Sequence, residues 1–88
     1  MNNKAITQAS QLLMKLRRQR DLTKVFWDQA EPVWRSGMRD AAERIAMGMP
    51  ERMSYTALRK AALPRSSLSG LNRQIKDLEA PKQMGLFQ

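Results

Sequence analysis

The sequence predicts an all-α fold, a small domain of about four helices, and three observations carry the prediction. Apolar residues recur at intervals of three and four along most of the chain. Pro32, Gly48 with Pro50, Pro64 and Pro81 divide the chain into helix-sized pieces. At 88 residues the chain has room for one modest hydrophobic core. Residues 1–80 therefore read as a single helical domain and residues 81–88 as a flexible C-terminal tail.

From Lys4 to Arg20, Ala5, Ala9, Leu12 and Leu16 form a helical stripe that Ile6 and Leu13 widen. The run Leu16-Arg17-Arg18-Gln19-Arg20 crowds positive charge at the C-terminal end, where the helix dipole favours it. Two readings of these arginines stand side by side: dipole compensation with solubility, and phosphate contact. The stripe is rich in alanine and lacks aromatic anchors, which argues against a helix lying on a membrane.

Asp21 is a candidate cap for the next segment, LTKVFWDQA, which Pro32 is expected to interrupt. Proline suits a first helical turn, so a fresh helix is predicted from Pro32 to about Met47, ending at Gly48 with Pro50 just beyond. Trp27, Trp34, Met38, Ala41 and Ile45 would share one face, which makes both tryptophans core rather than platforms for stacking bases. Asp28, Glu31, Asp40 and Glu43 match no metal-loop pattern and are expected on solvated helix faces.

After the short linker at residues 48–51, Ser54 is the expected cap of a helix whose inward residues are Leu58, Ala61 and Ala62. Pro64 holds Leu63 extended and should end that helix. Ser66 or Ser67 can cap the next one, in which Leu68, Leu71, Ile75 and Leu78 follow at spacings of three, four and three. Its other face carries Ser69, Asn72, Arg73 and Lys76. Gly70 lies within this helix at a cost of about 1 kcal/mol relative to Ala, for which close approach of another backbone would be a reason.

The formal net charge is +8, and it is unevenly placed. Residues 1–20 contain Lys4, Lys15, Arg17, Arg18 and Arg20 without an acid, and residues 52–76 contain Arg52, Arg59, Lys60, Arg65, Arg73 and Lys76, again without one. An acidic middle separates them. Two basic blocks suggest a polyanion footprint, with DNA or RNA the commonest such partner; the plainer alternative is a solvated charged surface. The chain has no Cys and no His, which excludes disulfides, thiol catalysis and the usual zinc sites. No cofactor or metal is expected, and no enzyme: there is no Gly-rich phosphate loop and no paired carboxylate set. The apolar runs are shorter than a membrane span and the first ten residues lack the apolar core of a secretion signal, so a cytoplasmic location is expected.

The stretch SYTALRKAALPRSSLSGLNRQIKDLE, residues 54–79, resembles the helix-turn-helix core of prokaryotic winged-helix regulators, over roughly a third of the chain. In that family a recognition helix ends in a Leu-Glu pair, here Leu78-Glu79, before a Gly-Leu that opens a wing. Residues 80–84 separate that pair from Gly85-Leu86, a longer gap than the family's, so the wing is expected to be absent or vestigial. The resemblance implies a DNA-binding protein of a bacterium or mobile genetic element, acting in transcriptional regulation or replication. Double-stranded DNA would be the partner. Arg65, Ser66, Ser67, Ser69, Asn72, Arg73 and Lys76 would face the groove, with Asn72 and Arg73 the candidates for base edges. Arg17, Arg18, Arg20, Arg59 and Lys60 would hold phosphates, and a homodimer is plausible because one short helix reads few base pairs.

The tail carries a second likeness. Gln83-Met84-Gly85-Leu86-Phe87 resembles the peptide by which bacterial replication and repair proteins dock on the DNA polymerase sliding clamp, a Gln followed after two variable residues by Leu-Phe. It implies a partner site at Gln83, Met84, Leu86 and Phe87, and with it an alternative: a non-enzymatic adaptor or inhibitor acting on a protein. The structural alternative is that Leu86 and Phe87 fold back onto the core.

Overall fold

The computed structural model describes the backbone of residues 2–79 and the side chains of residues 7–79. Among these residues the fold is all-α, with no strand. Helix α1 (Asn2–Val25) passes through a π-helical turn (Phe26–Ala30) straight into α2 (Glu31–Arg35), making one long rod. Helix α3 (Arg39–Met47) folds back on the end of that rod, α4 (Tyr55–Ala61) packs on α3, α1 and the π turn, and α5 (Ser67–Glu79) returns along α1.

The long rod corrects two expectations. Asp21 lies inside α1 and caps nothing, and Pro32 does not interrupt the helix but sits in the first turn of α2. Proline has no N–H, and in a regular helix its ring presses on the carbonyl four residues back. The turn just before it widens, with the Glu31 N–H bonding to the Phe26 carbonyl five residues back. The widening also serves the core. In an α-helix a residue four positions on is rotated by about 40°; the π turn takes that drift back, so Leu22, Phe26 and Ala30 stay aligned on the buried face.

The predicted helix from Pro32 to Met47 is in fact two, broken at residues 36–38. Gly37 adopts a φ of 89°. The Met38 N–H bonds to the Val33 carbonyl at 3.1 Å and the Gly37 N–H to the Trp34 carbonyl at 3.0 Å, a Schellman closure. A left-handed residue reverses the chain here, which periodicity alone does not register. Met38, expected inside, is 61% exposed, because it lies in this turn and not on a continuous helix face. Leu12 is 48% exposed for a related reason: the N-terminal half of α1 runs past the elbow, and its partner α5 covers another side.

The core clusters at the elbow, where Leu22, Phe26, Ala30, Ala42, Ala46, Tyr55 and Leu58 are buried and both tryptophans are half-buried against them. Phe26 meets Trp27 edge-on at 4.9 Å between ring centroids and Tyr55 at 5.8 Å. Of the four acids expected on solvated faces, Asp28, Asp40 and Glu43 are exposed and Glu31 is half-buried, and two of the four also hold structural contacts. Glu43 of α3 accepts the Tyr55 N–H at 2.6 Å, satisfying an orphan donor at the start of α4. Glu31 accepts the Tyr55 hydroxyl at 2.5 Å and the Arg35 guanidinium at 2.8 Å. Ser54 caps α4 as expected, accepting the Ala57 N–H at 3.1 Å.

Candidate nucleic-acid interface

Helix α5 divides as its sequence predicts. Leu71 and Ile75 are buried and Leu68 and Leu78 half-buried where the helix docks on α1, while Ser69, Asn72, Arg73 and Lys76 are exposed. Arg65 and Ser66 are exposed in the turn that leads in, and Ser67 is half-buried. That turn tightens through bonds from the Ser67 N–H to the Pro64 carbonyl at 2.9 Å and from the Leu68 N–H to the Arg65 carbonyl at 3.1 Å.

The connection at residues 62–66 is anchored to α1 and the π turn. The buried Thr23 hydroxyl accepts the Leu63 N–H at 3.1 Å, and the Trp27 indole N–H donates to the Leu63 carbonyl at 2.8 Å. One turn earlier along α1, Gln19 donates to the Ala61 carbonyl at 2.5 Å. These contacts fix where α5 starts and at what height on α1. Sequence reasoning missed all three residues as positioning groups; the one signal was that Thr23 and Trp27 fall four apart on the same helix face. Helix, turn and helix follow one another in the order expected at 54–79, with α5 taking its support from α1 and α4 taking its own from α3, α1 and the π turn.

The basic residues separate into two kinds. Arg17 is paired with Glu79, Arg18 donates to Glu51 at 2.9 Å and Arg20 to Asp21 at 3.0 Å. These three candidates for phosphate contact are thus internally neutralised, by pairs that are exposed and individually worth about 0–1 kcal/mol. Among the described residues Arg59, Lys60, Arg65, Arg73 and Lys76 have no carboxylate within salt-bridge distance. All five are exposed. They lie on the end of α4, the connection and the outer face of α5, while Lys15, Lys24, Arg39, Arg44 and Arg52 are likewise exposed and outside any such pair elsewhere on the described surface.

Gly70 is exposed on α5, and a Cβ placed there would meet nothing within 4 Å. The preceding helix therefore does not explain it. Trp34 is not available as a stacking platform: Tyr55 stacks parallel to it at 4.1 Å, and the Arg39 guanidinium lies 5.1 Å from its ring centre. Burial pushes the Tyr55 hydroxyl up to about 12, reinforced by its hydrogen bond to Glu31. The same bond, followed by that from Arg35, holds Glu31 below the usual carboxylate value. Both belong to the elbow and neither reaches the α5 face.

Among the described residues no group of three or more acids could hold a metal ion, and no helix is long and apolar enough to cross a membrane. The partner site expected at Gln83, Met84, Leu86 and Phe87 lies outside the described residues, as would any wing. No family model matches the chain, and neither a curated protein nor a solved structure does.

Proposed function

We propose that the chain is a small, non-enzymatic DNA-binding protein that presents α5 to a duplex, acting in transcriptional regulation or replication. The observation that carries this reading is the two-sided character of α5: Leu71 and Ile75 hold it to α1, while Ser69, Asn72, Arg73 and Lys76 stand exposed. Asn and Arg are side chains suited to bidentate reading of adenine and guanine edges. Arg59, Lys60 and Arg65 flank them without a carboxylate partner and would supply phosphate contacts. In this reading Gly70 lets the duplex backbone approach α5 closely. One short helix reads few base pairs, so binding as two copies on adjacent half-sites is expected.

A gel-shift series with duplex DNA, single-stranded DNA and RNA at two salt concentrations tests partner class and electrostatic share together. Tightest binding to duplex, weakened steeply by salt, is the expected result. Equal affinity for all three polymers would reduce the α5 face to a general polyanion surface.

A further inference from the structure

A groove of about 840 Å³ runs between the middle of α1 and the α3–α4 connection, within the size range, roughly 300–1,000 Å³, of pockets that bury a ligand. Its apolar lining comes from Leu12, Met14, Leu22, Met49 and Pro50, of which Met14 is 68% exposed. Its charged lining carries both signs. Lys15, Arg17, Arg18 and Asp21 line it from α1 and Glu51 from the α3–α4 connection, and Arg18 is paired with Glu51. A polyanion gains little from such a wall, so the groove suits an apolar occupant.

The chain itself brings one to the rim. Glu79, the last residue of α5, is paired with Arg17, which lines the groove. Residues 80–88 continue from that point and contain the apolar pair Leu86-Phe87. Seven residues from Glu79 to Leu86 span up to about 23 Å when extended, whereas Leu12 and Arg17 are about 8 Å apart along the axis of α1. Reach is ample. We infer that Leu86 and Phe87 seat in this groove of their own chain and cover Leu12 and Met14, tying the end of α5 to the middle of α1. The inference does not depend on DNA binding.

The chain has no cysteine, so Gln88→Cys gives a single site for a nitroxide spin label on the full-length protein. Methyl spectra of the methionines then read the position of the tail. Met14 and Met49 lie on the groove, whereas Met38 is in the turn beyond the far end of the rod, roughly 30 Å from Met14. The expected result is selective loss of the Met14 and Met49 signals with Met38 retained, unchanged when the doubly labelled chain is diluted into excess unlabelled chain. Leu86→Ser with Phe87→Ser should restore both signals, as should Leu12→Ser in the groove wall, with helix content by circular dichroism as the check on folding. Signals retained at Met14 and Met49, loss that survives both sets of substitutions, or loss that vanishes on dilution and so comes from a second copy would each overturn the inference.

Discussion

Trp27 on the π turn donates its indole N–H to the backbone carbonyl of Leu63 at 2.8 Å, and this contact joins the long first rod to the connection from which α5 departs. Thr23, one turn earlier, accepts the N–H of the same residue. Both backbone groups of Leu63 are thereby satisfied by side chains of the first rod, Thr23 on α1 and Trp27 on the π turn. A segment that Pro64 keeps out of a helix cannot satisfy them within a helical ladder, so the clamp both stabilises the connection and sets the origin of α5.

Thr23→Val keeps the shape of the side chain and leaves the Leu63 N–H without its acceptor. The expected cost is about 1–3 kcal/mol. Urea denaturation should report it, and amide exchange at Leu63 should accelerate relative to residues of α3.

Two glycines should respond to alanine in opposite directions. Gly37→Ala forces a Cβ onto a φ of 89° and should destabilise the fold by about 1 kcal/mol or more. Gly70→Ala enters open space on an exposed helix face and should stabilise it by about 0.5–1 kcal/mol. If α5 lies close to a duplex backbone, Gly70→Ala should weaken DNA binding while raising the thermal midpoint. A midpoint that falls would contradict the open surroundings of Gly70.

The Tyr55–Glu31 pair makes stability depend on pH at both ends. The Tyr55 hydroxyl ionises near 10 when unfolded and at about 12 in the fold, so its contribution is complete below pH 10 and is lost as pH rises through 12. Glu31 is held below its ordinary value of 4.5, so its contribution is present above pH 4.5 and is lost as pH falls through the lower folded value. Tyr55→Phe should flatten the alkaline decline and raise the Glu31 value toward 4.5. Denaturation midpoints across pH, with carboxylate titration by NMR, measure both.

The two kinds of basic residue predict distinct binding effects. Arg73→Ala should cost about 1–3 kcal/mol on the preferred site and relax its sequence preference. Arg18→Ala should weaken all DNA slightly and equally, since Glu51 already competes for this side chain. Competition gel shifts with preferred and scrambled duplexes separate the two. Indifference of every duplex to Arg73→Ala with Lys76→Ala would remove α5 from the interface.

Core truncation distinguishes the elbow from the α1–α5 seam. Leu58 is fully buried in the elbow cluster, and Leu58→Ala should cost about 2–5 kcal/mol. Leu78 is only half-buried at the end of α5, so Leu78→Ala should cost distinctly less. Equal losses in chemical denaturation would mean that the seam and elbow are a single core.

The second half of the chain was legible because its signals are local. Ser54 before an apolar repeat, Pro64 after it, and Leu71 with Ile75 at helical spacing each act within one or two turns, and the structure places them as that spacing implies. The first half was less so. Whether Pro32 stops a helix or rides in it depends on the carbonyls behind it, which the π turn moves aside. Phe26 and Tyr55 became core through a ring cluster that joins residues far apart in sequence. Nothing local marks Glu43 as the acceptor of the Tyr55 N–H that supplements the Ser54 cap of α4.

By itself, then, the sequence determined the helical class, the inward and outward faces of α4 and α5, and the net charge of +8, because periodicity, capping and composition belong to the chain whatever it packs against. Only the tertiary structure decided that Arg17 and Arg18 are paired across the fold while Arg65, Arg73 and Lys76 are not. Arg17, Arg18 and Arg20 look in sequence like Arg59, Lys60 and Arg65, but folding brings Glu79 and Glu51 across to the first two and leaves Asp21 beside the third. Electrostatic pairing acts through space over a few ångströms, so it follows the packing of α5 and the α3–α4 connection on α1.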